Sequence, residues 1–157
     1  MMERTLVLLK PDAVQRRLLG EMIQRFERKG LNICGLKMMR LEEETVRRNY
    51  AEHKGKPFYE PLVRFMISGP TVAVVLEGKN AVTVARKMVG PTFGPDAPAG
   101  TLRGDFGVSN RFNLVHASDS DESASRESGL YFKPEEIFEF RSCDLEWLYD
   151  FSEGNVV

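Results

Sequence analysis

The chain has 157 residues, of which 42% are hydrophobic and 29% are charged, and its formal net charge is -1 at pH 7. These proportions are ordinary for a globular protein, and the length predicts a single domain, residues 1–157, with a real hydrophobic core. A net charge near zero gives no overall attraction to nucleic acid or to an anionic membrane, so neither is expected as a partner. Any phosphate binding must come from individual lysine and arginine side chains.

The cysteine content and the lack of long apolar runs narrow the class further. Cys34 and Cys143 are too few for a disulfide scaffold, and the sequence has no metal-ligand spacing. No secretory signal pattern is present, and no apolar run approaches the length of a membrane span. The expected compartment is therefore the cytosol.

The first half of the chain predicts two strands and several helices. Residues 4–9 form a near-continuous apolar run typical of a central strand. Apolar residues recur at helical spacing over 19–30, where a glycine suits the helix end. An extended segment follows at 31–41, then a polar helix at 42–54, and the region 58–68 contains a second, short helix.

The second half predicts two more strands around a long loop. Residues 71–76 are a β-branched strand, and Asn80 can cap the helix after it. The segment 90–107 is rich in glycine and proline and has no regular period, as in a functional loop. A strand at 112–116 and a short helix at about 119–129 complete the pattern.

The order of these elements predicts the fold class. Without its insertions, the chain is a split β-α-β unit repeated, which is the α+β, ferredoxin-like βαββαβ arrangement with an antiparallel sheet. The helical insertion and the long active-site or assembly loop are additions to it. Alternating strands and helices equally suit a doubly wound parallel sheet, and the pattern alone does not determine the strand direction.

The run Asn113-Leu-Val-His116-Ala-Ser118-Asp119 is the strongest functional signal. Asp119 or Ser120 can cap a helix, so His116 lies near a helix N-terminus, which favours phosphate. A neutral imidazole is a competent nucleophile near pH 7, because its ordinary pKa is about 6.5. A histidine at a strand end is usually only a satisfied polar residue, but with its neighbours it points to phosphoryl transfer through a phosphohistidine.

Several other motifs of nucleotide-binding proteins and hydrolases are missing. The sequence contains no Gly-x-x-x-x-Gly-Lys-Ser/Thr loop, no Gly-x-Gly-x-x-Gly run and no Gly-x-Ser-x-Gly elbow. A nucleotide would therefore be bound mainly by side chains rather than by a glycine-rich backbone cradle.

Five blocks of sequence occur in a specific order along the chain. They are Arg4-Thr-Leu-Val-Leu-Leu-Lys10-Pro-Asp12, Ser68-Gly-Pro, Arg86-Lys-Met-Val-Gly90-Pro-Thr92, Gly100-Thr-Leu-Arg103-Gly-Asp105-Phe and the run around His116. This set resembles the nucleoside diphosphate kinase family over about residues 3–147. The resemblance implies γ-phosphoryl transfer from ATP or another nucleoside triphosphate to a nucleoside diphosphate, by a ping-pong route with Mg²⁺ on the nucleotide. It also implies a homo-oligomer, for which a hexamer is expected first and a tetramer is the alternative.

The resemblance assigns the chemistry to five residues. His116 would attack the γ-phosphorus as a neutral imidazole. Glu127 would accept the other ring N–H and stabilise positive charge on the ring, and Ser118 would support Glu127. Tyr50 would hydrogen-bond near the transferred group, and Lys10 would contact the sugar and nearby phosphate and stabilise the transition state.

The nucleotide contacts are carried over in the same way. Arg86 and Arg103 would bind the β- and γ-phosphates, because arginine offers planar forks of donors to phosphate oxygens. Thr92 would add a hydroxyl donor, and Asn113 would contact the sugar hydroxyls and phosphate. Each arginine taken singly could be a solvated surface charge.

The base and the metal complete the predicted site. Phe58 would stack on the base with Leu62 alongside, a flat apolar clamp that accepts all common bases. Asp119 would hold Mg²⁺ through water, since this ion keeps much of its hydration shell. His53, beside Lys54-Gly55, is interpreted as a positive residue at the end of a helix.

The chain departs from the family pattern in the loop and at the entry to the last strand. Ala117 stands where glycine is usual, Phe93-Gly94 replaces Asn-Pro, and Ala99 replaces proline. Arg111-Phe112 stands where Gly-Arg is common. These changes bear on loop rigidity and subunit contacts more than on the chemistry, and are expected to weaken assembly.

Two alternatives belong to other classes of protein. One is a nucleotide- or nucleic-acid-binding oligomer without turnover, although no basic-aromatic RNA-binding pattern is present. The other is a phosphorelay protein that passes the group from His116 to protein partners. In such a protein Phe58 and Lys10 would have no task, and nucleoside diphosphates would not discharge the phosphohistidine.

Overall fold

The computed structural model describes residues 2–151. Within this range lie four strands: β1 Met2–Leu9, β2 Asn32–Arg40, β3 Pro70–Lys79 and β4 Val115–Ala117. The α-helices are α1 Pro11–Gln15, α2 Leu19–Arg28, α3 Glu43–Asn49, α4 Tyr59–Met66, α5 Ala81–Val89, α6 Leu102–Phe106, α7 Asp121–Tyr131 and α8 Leu145–Leu148. Short 3₁₀ turns occur at Ala51–His53, Gly94–Asp96 and Pro134–Glu136. No helix in the described range is both long enough and apolar enough to cross a membrane.

The four strands form one sheet in the order β2-β3-β1-β4, and every neighbouring pair is antiparallel. This confirms the α+β, ferredoxin-like prediction and rules out the parallel alternative. The two most apolar strands, β1 and β3, lie in the centre, where both faces of a strand are covered. Leu6 and Leu8 point to one face and Val7 and Leu9 to the other, and all four are fully buried.

Helices cover both faces of the sheet. On one side α2 and α5 pack on Val7 and Leu9, and Phe26 of α2 is one of the largest buried side chains there. On the other side α3, α4 and α7 pack on Leu6 and Leu8. Burial of each such side chain contributes on the order of 1.5–3 kcal/mol relative to exposure. These layers fix the end of β1 against β4, which is where His116 lies.

The glycine-rich segment 90–107 is more ordered than its composition predicts. It contains a 3₁₀ turn and α6, whose N-cap is Thr101: its Oγ1 accepts the Gly104 N–H at 2.9 Å. A Cβ on Gly104 would lie 2.0 Å from the Pro98 carbonyl oxygen. Glycine is thus required here for close packing and not for looseness, so the prediction of an irregular loop is wrong in this part.

Two element boundaries and one helix cap also differ from the sequence prediction. The helix predicted at 42–54 ends at Asn49, and a 3₁₀ turn follows. The strand predicted at 112–116 is shorter, Val115–Ala117, because Leu114 has φ 72°, a left-handed conformation that a strand cannot contain. Asn80 does precede α5, but it too is left-handed and its side chain makes no capping bond.

The helix after the active-site run is capped by Ser120, whose Oγ accepts the Ser123 N–H at 3.1 Å. Replacing Ser120 with alanine is expected to lower the free energy of unfolding by about 1 kcal/mol, since one N–H of the first turn loses its partner. Urea denaturation measures this. Ser125→Ala, on the exposed side of the same helix, is the matched control and should be close to neutral. Equal effects of the two substitutions would contradict the capping role.

Candidate active site

A cleft of about 650 Å³ lies beside the β1–β4 end of the sheet. Its volume is in the range of small-molecule sites. Every site residue predicted from the sequence lines this cleft except Ser118, which lies behind it. The structure thus brings together side chains from α3, α4, α5, α6, β4 and α7 with Lys10, just after β1, and with residues of the connecting segments.

His116 and Glu127 form the centre of the site. β4 places His116 opposite Leu8 of β1, and α7 carries Glu127. The imidazole Nε2 and the carboxylate Oε2 are 2.8 Å apart, and the Ser118 hydroxyl donates to the same oxygen at 2.7 Å. Arg126 donates to the other carboxylate oxygen at 3.3 Å.

The environment of Glu127 determines which ring nitrogen of His116 is reactive. Burial alone would raise the pKa of Glu127, but the hydrogen bonds from His116 and Ser118 hold that pKa below its ordinary value. The carboxylate is therefore ionised and accepts a hydrogen bond from Nε2–H. In the described part of the chain Nδ1 makes no hydrogen bond, so the neutral ring has its lone pair at Nδ1, on the cleft.

Lys10 is a buried cation at the end of β1. Its Nζ donates to Asn113 Oδ1 at 2.7 Å, and burial, together with the nearby Arg103 charge, lowers its pKa to about 8.

Asp12, two residues after Lys10, shapes the turn before β4. The Asp12 carboxylate accepts the Leu114 N–H at 3.0 Å. A γ-turn centred on Leu114 results, closed by a bond from the Val115 N–H to the Asn113 carbonyl oxygen at 2.8 Å. The Lys-Pro-Asp run therefore shapes the turn that presents Asn113 to Lys10.

Arg103 reaches the site from α6. Its guanidinium donates to three backbone carbonyl oxygens, those of Asn113 at 3.1 Å, Gly90 at 2.8 Å and Val115 at 2.5 Å. Burial and the charge of Arg86 lower the pKa of Arg103 to about 10. Because a guanidinium has five N–H groups, two of them, one on each terminal nitrogen, are left for a ligand.

Arg86, Thr92 and Asp119 lie on the open side of the cleft. Arg86 is exposed and donates to the Ala117 carbonyl oxygen at 3.3 Å. Thr92 is exposed, and its carbonyl oxygen accepts from Asn113 Nδ2 at 3.1 Å. A hydrogen bond from Ser123 lowers the pKa of Asp119, which is therefore an anion next to the arginine.

Aromatic rings form the far wall. Tyr50 is buried, its ring meets that of His116 edge-on with centroids 5.5 Å apart, and burial raises its pKa well above the ordinary value. Phe58 is 49% exposed at the rim, with Leu62 one turn along α4. His53 packs between Tyr50 and Phe58, with ring centroids 6.2 Å and 5.3 Å away.

Some cleft residues were missed by the sequence analysis. His53 is the last residue of the 3₁₀ turn Ala51–His53, as a helix-end residue was predicted to be, and its contribution to the aromatic wall was missed. Asn110 and Arg111 line the mouth, although Arg111 was associated only with subunit contacts, and Glu52 lies there too. The closeness of Asn110 and Arg111 to Asn113 was the available signal. The sequence offered no signal for the 3₁₀ turn that carries Glu52 and His53.

The described residues contain no group of three or more histidine, cysteine, aspartate or glutamate side chains that could hold a metal ion by themselves. Asp119 is a single carboxylate on the cleft. One carboxylate beside phosphate-binding cations suits Mg²⁺, which takes few protein ligands and completes its shell with phosphate oxygens and water. The donor set therefore fits an ion that arrives with a nucleotide.

An oriented histidine in a cation-lined cleft, on an antiparallel α+β fold, defines the class as a phosphotransferase. Comparison with known proteins narrows this class. The sequence profile of the family described as "Nucleoside diphosphate kinase" matches residues 3–137. The chain belongs to the nucleoside diphosphate kinase family.

Individual relatives are similar over nearly the whole chain. A protein named nucleoside diphosphate kinase from Thermococcus kodakarensis is 51% identical over 150 residues, 94% of this chain and 86% of that protein. One of the same name from Staphylothermus marinus is 56% identical over 138 residues, 88% of this chain and 98% of that protein. The solved structure of a halophilic nucleoside diphosphate kinase from Halobacterium salinarum in complex with CDP has a TM-score of 0.93 and 42% identity, and covers 96% of this chain and 100% of that one.

Proposed function

We propose that the enzyme transfers the γ-phosphoryl group of a nucleoside triphosphate to a nucleoside diphosphate by a ping-pong mechanism in which His116 carries the group. The observation that carries this proposal is the 2.8 Å contact between His116 Nε2 and an ionised Glu127, which leaves Nδ1 as the nucleophile. The relative from Halobacterium salinarum binds CDP, which supports a nucleotide as substrate.

Each half-reaction is an in-line displacement at phosphorus. The lone pair of Nδ1 attacks the γ-phosphorus, an N–P bond forms, and the bond from phosphorus to the β–γ bridging oxygen breaks. The nucleoside diphosphate leaves with that electron pair. In the second half-reaction a terminal oxygen of the acceptor diphosphate attacks the phosphohistidine and the N–P bond breaks. Glu127 stabilises the positive charge that the ring acquires between the two steps.

The cations bind and orient the phosphates. The two free N–H groups of Arg103, the exposed guanidinium of Arg86 and the ammonium of Lys10 converge on the cleft beside His116. Charge on the transferring oxygens is what phosphoryl transfer must stabilise. Fixed cations need no rearrangement during the reaction, and Arg103, held by three carbonyl oxygens, is the most rigid of them.

The remaining residues hold the nucleoside and the metal. Phe58 stacks on the base beside Leu62 and makes no contact with the polar edge of the base. Asn113 binds the sugar hydroxyls. Thr92 adds a donor to phosphate, and Tyr50 donates near the transferred group. Asp119 would hold Mg²⁺ through water. When bound with the nucleotide, the ion supplies positive charge to the phosphate oxygens.

Intact-mass spectrometry tests the proposal. After brief exposure to ATP and Mg²⁺, the protein should gain one acid-labile phosphoryl group and lose it again when GDP is added. No gain despite tight ATP binding would refute the enzyme and indicate a binding oligomer. A gain that nucleoside diphosphates do not discharge would instead indicate a phosphorelay protein.

Lys10 should make transfer depend on pH. Its pKa of about 8 means that the ammonium is charged below pH 8 and loses its proton above it. For the free enzyme, kcat/KM should fall as the pH rises through 8, by up to about tenfold per pH unit. The measurement is kcat/KM from pH 6.5 to 9.5, with ATP as donor and CDP as acceptor. Lys10→Met should show a lower, flat profile, and a descending limb that persists in this variant would contradict the role.

The proposal includes one catalytic domain over residues 1–157, a cytosolic location and a homo-oligomer, a hexamer before a tetramer. Leu36 and Met38, on the edge strand β2, are 51% and 56% exposed, which supports a subunit contact there. Mass photometry of the purified protein distinguishes the two assemblies, and a monomer would refute both.

A further inference from the structure

The short helix α6 is held from two sides. Arg103 faces inward to the cleft, whereas Asp105, two residues later, faces outward to α2. Asp105 Oδ2 and Arg25 Nη1 are 2.6 Å apart, and Asp105 Oδ1 accepts the Gly100 N–H at 2.8 Å. One carboxylate thus ties α6 both to the loop before it and to a helix 80 residues earlier in the chain.

Arg25 is itself fixed in place. Its Nε donates to Glu21 one turn earlier on α2 at 2.9 Å, and its guanidinium lies over the ring of Phe106, 4.8 Å from the centroid. Arg16 adds a bond to the Phe106 carbonyl oxygen at 2.6 Å. The outer side of α6 is therefore held by two arginines from the segment that follows β1.

A five-residue helix cannot hold its own position, because a single turn is too short to be stable alone. The direction in which Arg103 enters the cleft depends on tertiary contacts with α6. The outer contacts are those of Asp105 and Phe106.

We propose that Arg25 and Asp105 are a positioning pair for phosphoryl transfer: by fixing α6 from outside, they fix the guanidinium of Arg103 in the cleft. Neither side chain lines the cleft, so the pair acts through Arg103 and is not itself catalytic. The inference rests on the proposed function in one respect, that Arg103 binds the transferring phosphates.

The pair should matter more for catalysis than for stability. Both side chains are 26% exposed, and ion pairs with this much solvent contribute little to the free energy of unfolding. A small displacement of a group that binds the transition state can nevertheless lower the rate by one or two orders of magnitude. A purely structural ion pair would not show this separation.

The experiment compares Arg25→Met and Asp105→Asn with wild type by rapid-quench measurement of phosphohistidine formation. The maximal rate should fall about tenfold, and the ATP concentration at half-maximal rate should change less than about twofold. Arg25→Lys should recover part of the rate. Lys37→Met is the matched control, because Lys37 and Glu136 are also 2.6 Å apart, 30% and 35% exposed, and the ammonium lies 4.9 Å from the centroid of Phe132. That control should keep the wild-type rate.

A double variant tests whether the effect of Arg25 passes through Arg103. If Arg25 acts through Arg103, then adding Arg25→Met to Arg103→Met should cause no further loss of rate. The same loss in both backgrounds, a wild-type rate in Arg25→Met, or a loss explained by a change in assembly on mass photometry would each overturn the proposal. Failure of the proposed function is a different result, since wild type itself would then form no phosphohistidine.

Discussion

Alanine in place of His116 is expected to abolish the acid-labile phosphoryl gain and to lower nucleotide-dependent transfer by at least roughly 10⁴-fold. The reason is chemical: Nδ1 forms the covalent bond that divides the reaction into two half-reactions. The buried Glu127 and Ser118, whose side chains are hydrogen-bonded at 2.7 Å, would remain but would have no imidazole to orient. Intact mass after exposure to ATP and Mg²⁺ measures the first effect, and a coupled ADP assay measures the second.

The site of modification can be checked within the same protein. The chain has two histidines, so proteolysis of the phosphorylated wild type at neutral pH should place the added mass on the fragment with His116 and not on that with His53. Thermal unfolding of the alanine variant shows whether it is still folded. A phosphoryl gain that persists in a folded His116→Ala protein would contradict the mechanism.

Methionine in place of Arg103 is expected to lower kcat/KM by about 10³-fold. Two effects combine: the phosphates lose two N–H donors, and the carbonyl oxygens of Gly90, Asn113 and Val115 each lose a hydrogen bond. The Asn113 oxygen keeps its bond from the Val115 N–H. The loss of these three hydrogen bonds should also reduce the free energy of unfolding by a few kcal/mol. Arg103→Lys keeps a charge but not the planar fork, so it should recover only a small part of the activity.

Steady-state kinetics and urea denaturation measure both consequences of changing Arg103. Arg48→Met, exposed on α3, is the control for losing an arginine and should leave both quantities near wild type. A folded Arg103→Met enzyme with more than about a tenth of the wild-type kcat/KM would show that Arg103 only supports the backbone.

Some parts of the structure follow directly from local sequence. The apolar run of β1 predicts a central strand, because only a strand covered on both faces is apolar at every position. The β-branched run of β3 predicts a strand, but its place in the centre of the sheet was not predicted. Most of the predicted site residues could be named because they belong to blocks shared with a known family. Those outside the blocks were carried over from the family resemblance as a whole: Tyr50, Phe58, Leu62 and Glu127. Composition and periodicity alone would have left Glu127 as an exposed helical carboxylate, whereas it is 4% exposed and bonded to His116.

Other parts depend on contacts that a sequence does not display. The glycines and prolines of 90–107 predict a loop, yet α6 forms there because Thr101, Arg25 and the close approach of Pro98 to Gly104 impose it. The strand expected at 112–116 is interrupted because the Asp12 carboxylate, about a hundred residues away, holds the Leu114 N–H. Such tertiary bonds override local propensity.

The lowered pKa of Lys10 couples the binding and release of nucleotides to the uptake and release of protons. In the empty cleft, burial and Arg103 disfavour the charge of this side chain and lower its pKa to about 8. A nucleotide polyphosphate placed against Nζ would favour the ammonium form, so nucleotide entry near pH 8 is expected to draw protons from the buffer. Release of the nucleotide would return those protons. Every exchange of nucleotide between the two half-reactions is thus coupled to proton release and uptake, although the complete cycle consumes none.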